Sequence, residues 1–352
     1  MLEAVSGGQL VRPTTLIAFL GAAFLTLLGI SATAQTFTTL YSFEGSDGAG
    51  PGFMSLVQGP DGNYYGVTAG GGDVACSPPS GCGTVFRLNA SSSLRTLHVF
   101  EGVDGIYPQA SLIVGGDNSL YGTTTGGGDL SCNPPSGCGT VFRITPDGTL
   151  TVLHEFELTD GGGPVTSLLQ ATDGNFYGTT SGGGPSNDSA GTVFKMTRDG
   201  TLKTLYSFCL SPTCHTGYGP TAPLIQGVDG RFYGTTSAGG TNACYGQGCG
   251  TVFRVTSTGR LTILHRFGHL DGAEPRAPLV QAVDGSLYGT TVTGGSEGSG
   301  TIFKIGATGQ FSTLYSFSNK QDGADPYSPL TLGTSMISKS QAETEVSVHF
   351  EG

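Results

Sequence analysis

A Tyr-Gly dipeptide occurs at Tyr65, Tyr121, Tyr177, Tyr233 and Tyr288, at spacings of 56, 56, 56 and 55 residues. A Gly-Thr-[Val/Ile]-Phe-[Arg/Lys] block starts at Gly83, Gly139, Gly191, Gly250 and Gly300. A Leu-[Tyr/His]-x-Phe block ends at Phe43, Phe100, Phe156, Phe208, Phe267 and Phe317. Five copies of a three-part signature at a fixed period mark an array of one supersecondary unit, each copy burying its apolar face against its neighbours.

Each copy reads as four short strands. In one copy these are residues 167–170, 176–180, 192–196 and 202–208. Asp173-Gly174 and Asp199-Gly200 mark tight turns, because glycine takes the positive φ that such turns need. A glycine-rich loop, 182–191, joins the second and third strands, and a longer loop with Pro220 leads to the next copy. No stretch after residue 34 shows helical periodicity. The pattern predicts an all-β fold, a β-propeller of about six four-stranded blades with five clear repeats and a degenerate closing blade. A Leu-x-x-Phe strand at 37–43 precedes the first full copy and is expected to form the outer strand of that last blade. The sixth copy starts with Asp322-Gly323, Pro326 and Ser328-Pro329-Leu330 and then loses the pattern. Residues 331–352 therefore read as a degenerate last blade or a divergent tail, with truncation or a frame-shifted end as alternatives, and five or seven blades stay open.

The 352-residue chain carries a net charge of −11 and no Lys/Arg cluster. That excludes a nucleic-acid footprint and disfavours anionic membrane surfaces. Arg12, the apolar run 16–30 and Ala32-Thr33-Ala34 read as an export signal over 1–34, an uncleaved anchor being the alternative. The propeller then spans 35–330, secreted, periplasmic or at the cell surface, with no membrane insertion after signal cleavage. The eight cysteines form four local pairs, Cys76/Cys82, Cys132/Cys138, Cys209/Cys214 and Cys244/Cys249. Disulfides are the default in an exported chain, and these spacings, without histidine, do not suit zinc.

The motifs DGNFYGTTSGGG at 173–184 and SGCGTVFRITPDGTL at 136–150, with their copies over about 36–330, resemble the exported tandem-repeat proteins called GloVer-type, or choice-of-anchor, repeat proteins. The resemblance implies an envelope or secreted protein of unassigned function. Many members carry a C-terminal surface anchor, and residues 331–352 lack an apolar tail, a sorting motif or a basic end. The pattern is also similar to the blades of NHL-type propellers.

In a propeller the two tight turns of each copy fall on one face. The glycine-rich and inter-blade loops fall on the other, which thus collects the length variation and all four cysteine pairs. Variable loops on a rigid scaffold are where binding is expected. Asp47, Asp104, Asp160, Asp271 and Asp322 precede glycine in the inter-blade loops. They read either as a carboxylate ring for Ca²⁺ or, preferred, as caps of their own turns. Arg87, Arg143, Lys195, Arg254 and Lys304 share one strand position and are expected to pair with carboxylates or lie over aromatic rings rather than bind an anion. His98, His154 and His265 alternate with Tyr41, Tyr206 and Tyr315 on outer strands and read as packing residues. The tyrosine of each Tyr-Gly pair reads as inter-blade core. His215 and His269 are the best lone general-base candidates, but no nucleophile is paired with either. No phosphate loop, nucleophile elbow or zinc-protease motif is present. Acids outside the repeat, Asp73, Asp129, Asp188, Glu274, Glu297 and Asp325, are few for glycoside hydrolysis. The expectation is a non-catalytic scaffold for an unknown glycan or protein, with no cofactor beyond Ca²⁺. The alternative is a polysaccharide lyase or lactonase-like hydrolase with a divalent metal in the channel.

Overall fold

The computed structural model describes residues 38–52, 54–185, 190–210, 213–332 and 346–347. The chain divides into Met1–Thr39 and Leu40–Gly352, and every element below belongs to the second unit. The expected signal segment lies outside the described residues.

The second unit is an all-β propeller. Five four-stranded antiparallel sheets follow one another along the chain, and within each the strands lie side by side in sequence order. Blade 1 is Val57–Gln58, Tyr64–Thr68, Thr84–Leu88 and Leu94–Val99; blade 2 is Ile113–Val114, Leu120–Thr124, Thr140–Ile144 and Leu150–Glu155. Blade 3 is Leu169–Gln170, Phe176–Thr180, Thr192–Met196 and Leu202–Ser207; blade 4 is Ile225–Gln226, Phe232–Thr236, Thr251–Val255 and Leu261–Arg266. Blade 5 is Val280–Gln281, Leu287–Thr291, Thr301–Ile305 and Phe311–Ser316. The inner strand is two residues shorter than 167–170. The carbonyl of Thr166 accepts from Thr123 Oγ1 of blade 2 at 3.3 Å, so the chain upstream of Leu169 serves the junction rather than its own ladder. Every outer strand carries a bulge against the third, with Leu97, Leu153, Leu205, Leu264 and Leu314 as the extra residues.

The core lies between sheets. Four apolar clusters each straddle two consecutive blades, and a fifth joins blade 5 to Leu330 and Leu332. The phenylalanine that closes each outer strand meets the third-strand phenylalanine of the following blade edge to face. The pairs are Phe100–Phe142, Phe156–Phe194, Phe208–Phe253 and Phe267–Phe303, at 5.2–5.4 Å, a favourable aromatic geometry. The tyrosine of Tyr-Gly stacks on the next blade, Tyr121 on Phe176 at 4.3 Å and Tyr177 on Phe232 at 3.9 Å. The glycine after it seats the third-strand phenylalanine: a Cβ at Gly178 would lie 2.5 Å from Phe194 Cζ.

Residues 38–43 form no ladder among the described residues. Their partner would be the third strand of the sixth copy, and 333–345 and 348–352 lie outside the described residues. Phe43 still packs on Phe86 at 5.2 Å, as its counterparts do one blade on. In the sixth copy Thr331–Leu332 pairs with Val346–Ser347.

Candidate functional site

The loop face is built from two layers of backbone. Each inter-blade loop bridges to the glycine-rich loop of the blade it enters, as at Ile106↔Gly126, Gly162↔Gly182 and Ala273↔Thr293. Beneath them, paired threonines close the ends of the second and third strands. Thr180 and Thr192 hydroxyls lie 2.9 Å apart, and Thr192 Oγ1 donates to the Asp160 carbonyl at 3.1 Å. Thr140 and Thr301 reach the carbonyls of Asp104 and Asp271 in the same way. The loop is thus held by its main chain, leaving side chains to vary.

The five loop aspartates sit in separate junctions. Asp104 accepts from the Glu101 N–H at 2.8 Å and bonds His98 Nε2 at 2.7 Å. Asp160 accepts from the Glu157 N–H at 3.0 Å and bonds His154 Nε2 at 2.8 Å. Asp271 accepts from the Gly268 N–H at 2.7 Å and bonds His265 Nε2 at 2.8 Å. At the chain ends tyrosine replaces histidine: the hydroxyl of Tyr41 donates to Asp47, and that of Tyr315 to Asp322 at 2.8 Å. Burial pushes the Asp271 carboxyl up, but His265 and the Gly268 N–H outweigh it and hold it below the usual value. The Ser318 and Tyr315 hydroxyls hold Asp322 well below that range. Among the described residues no three His, Cys, Asp or Glu side chains come together as a metal site. The histidines read as packing residues are therefore the partners of the aspartates. A constant six-residue spacing from His to Asp, at 98/104, 154/160 and 265/271, was the signal available.

The junction between blades 3 and 4 departs from this scheme. Thr216 stands where its siblings have aspartate, Tyr206 where three of them have histidine, and the Cys209–Cys214 disulfide closes the loop. Exposed His215 follows it, and its carbonyl accepts from Arg266 Nε at 2.9 Å. His269 is also exposed and takes φ 73°, at the loop position where Gly45 and Gly102 stand. The two histidines thus lie in different junctions. The other three disulfides, Cys76–Cys82, Cys132–Cys138 and Cys244–Cys249, lie in glycine-rich loops.

One loop position takes positive φ in every copy. Gly50, Gly163 and Gly219 fill it in three, and Tyr107, Glu274 and Asp325 in the others at 57°, 57° and 52°. Glu274 Oε2 accepts from Arg276 Nη2 at 2.9 Å, and the Tyr107 hydroxyl lies 2.6 Å from Ser77 Oγ.

On the turn face of blades 1 to 4, the aspartate of the first hairpin turn reaches forward to the tyrosine four residues on. Tyr65, Tyr121, Tyr177 and Tyr233 donate to Asp61, Asp117, Asp173 and Asp229 at 2.7–2.9 Å. Burial, then the aspartate bond, pushes Tyr65 and Tyr121 up to about 12. Lys195 meets Asp173 at 2.9 Å and lies over the Tyr177 ring at 5.4 Å, and Lys304 lies over the Tyr288 ring at 5.2 Å. The sequence reading took Asp173 only as a turn residue and did not pair these aspartates with tyrosine, although the Asp-x-x-x-Tyr spacing recurs in every copy.

The model of the Gloeobacter/Verrucomicrobia repeat matches residues 26–133 and 130–339. The chain belongs to this repeat family. No curated protein matches it. Among solved structures, this member of the repeat family is similar to a gluconolactonase from Xanthomonas campestris: 14% identity, 71% of this chain and 72% of that one, TM-score 0.40. It is also similar to the periplasmic gluconolactonase of Pseudomonas aeruginosa, at 17% identity over 71% of this chain and 67% of that one, TM-score 0.45. At such scores the likeness transfers no activity to the repeat family.

Proposed function

We propose that this chain is an extracytoplasmic binding scaffold whose loop face is presented to a glycan or protein. The observation that carries this reading is how that face divides its residues. Its carboxylates are tied inward to histidine, tyrosine and their own turns, while side chains such as Val103, Leu130, Leu210, Tyr245 and Leu270 stand exposed. Apolar side chains exposed on variable loops suit an interaction surface. Four disulfides support an oxidising compartment outside the cytoplasm.

A second reading, a lyase or lactonase-like hydrolase using a divalent metal, is favoured by the positive φ of Glu274 and Asp325, since backbone strain gathers at reactive sites. A dye-based thermal-shift screen separates the two. The scaffold reading expects stabilisation by a polysaccharide or protein that EDTA does not reverse and that Tyr245→Ser with Leu270→Ser removes. Stabilisation by Ca²⁺ that Glu274→Gln removes would instead favour the enzyme.

A further inference from the structure

The junction between blades 4 and 5 breaks the repeat on the turn face, opposite the loops. Phe311 opens the outer strand of blade 5, where Leu94, Leu150, Leu202 and Leu261 stand in the other blades. Its ring lies flat on His265 of blade 4, 3.6 Å away and 5° from parallel. At the two preceding junctions the turn glycine presses on the bulge carbonyl behind it: a Cβ at Gly200 would strike the Leu153 oxygen, and one at Gly259 the Leu205 oxygen. Gly309, the counterpart in blade 5, has nothing within 4 Å of its Cβ position. The inner half stays shut, because Gln281 Oε1 accepts from the Val228 N–H at 2.9 Å, just as Gln226 accepts from Thr172 at the junction before.

Below the turn of Gly309 lies a cavity of about 310 Å³. Half-buried Ile263 and Leu264 are its apolar side, Leu287 and Ile305 lie beneath it in the core, and residues 306–309 form its rim. Gly306 and Ala307 line it where blade 3 has Thr197 and Arg198, so the substitutions that make room are clustered. Arg254 is the cation on its wall. The carboxylate of its own blade, Asp229, is already taken by Arg231 Nη1 at 2.7 Å and the Tyr233 hydroxyl at 2.8 Å. Asp284, beside the lining Gly285, is bonded by Ser286 and faces Lys304 at 3.8 Å. Among the described residues Arg254 forms no ion pair, and Asp229 is held by Arg231 instead.

We propose that this cavity binds a small organic carboxylate, its carboxylate on the Arg254 guanidinium and its apolar body against Ile263 and Leu264. A guanidinium presents a planar fork that matches a carboxylate bidentately. The volume holds about ten water-sized groups, which suits a ring or branched chain of that size.

The test is a binding titration of the full chain with benzoate as probe, against inorganic phosphate. Benzoate binds saturably and phosphate about tenfold more weakly, since phosphate lacks the apolar body. Arg254→Gln weakens benzoate about tenfold, the loss of one charge-assisted contact, while Arg87→Gln in blade 1 changes nothing. Ala307→Leu fills the cavity and removes binding with the melting temperature kept. Absence of saturable benzoate binding overturns the proposal. So does phosphate binding as tight as benzoate, or benzoate binding that survives Arg254→Gln or Ala307→Leu.

Discussion

Blade 3 is enclosed by neighbours on both sides, and the same residues in blade 1 are not. Leu168 is 4% exposed and its blade 1 counterpart Leu56 45%; Phe176 is 0% exposed and its counterpart Tyr64 39%. The exposed pair lies on the side that in blades 2 to 5 meets the preceding blade. Leu314, on the opposite side of blade 5, is exposed while its counterparts in blades 1 to 4 are half-buried. One local sequence thus makes one blade everywhere, but burial is conferred by the neighbour. Covalent bonds follow the same division. The junctions from blade 1 to blade 5 each carry one disulfide, because Cys82, Cys138 and Cys249 accept N–H groups of the following inter-blade loop and Cys209–Cys214 lies within one. The loop of blade 5, 294–300, has no cysteine.

The sharpest test of that contrast is truncation at equivalent sites. Leu168→Ala should cost about 3 kcal/mol, as buried leucines do, and Leu56→Ala under about 1 kcal/mol. Urea unfolding followed by circular dichroism reads both, and equal losses would mean that blade 1 is as enclosed as blade 3. Removing one junction disulfide, Cys132→Ala with Cys138→Ala, should cost about 2 kcal/mol by the chain-entropy argument for so short a loop. The same measurement under reducing conditions should find wild type and variant alike at that junction.

The junction tyrosines predict an alkaline limit. A folded pKa of about 12 for Tyr121, above the unfolded value near 10, means that the folded state keeps its proton longer. That stability is complete below pH 10 and is lost as pH rises toward 12. Tyr121→Phe should flatten part of the decline in a thermal melt series. The smallest effect is acidic. Asp271 is held below its ordinary value, so its contribution is present above about pH 4 and lost as pH falls through the folded value. Asp271→Asn should cost about 1 kcal/mol at neutral pH, the scale of one half-buried bond, and nothing once the wild-type carboxylate is protonated.

Most of the blade was legible in the sequence, because Tyr-Gly, Gly-Thr-Val-Phe and Leu-x-x-Phe each carry a contact that recurs at every junction. The four disulfides were legible from local spacing and compartment. The inner strand was read too long, since the alternation of Ser167 and Leu168 does not reveal that Thr166 serves a neighbouring sheet. The His–Asp pairs were missed because a loop turn separates residues that a linear strand reading sets apart. The cavity beside Arg254 was hidden for another reason. Gly306 and Ala307 read as ordinary turn residues until the space they leave beside Arg254 is seen.

The edge-to-face phenylalanine contact has a consequence for how such chains change over generations. It joins the end of one copy to the middle of the next, and Phe100–Phe142 differs little from Phe267–Phe303. Any copy can therefore follow any other without new chemistry at the seam. Duplication or deletion of a whole copy in the gene preserves every seam inside the array, so selection acts on copy number and on loops separately.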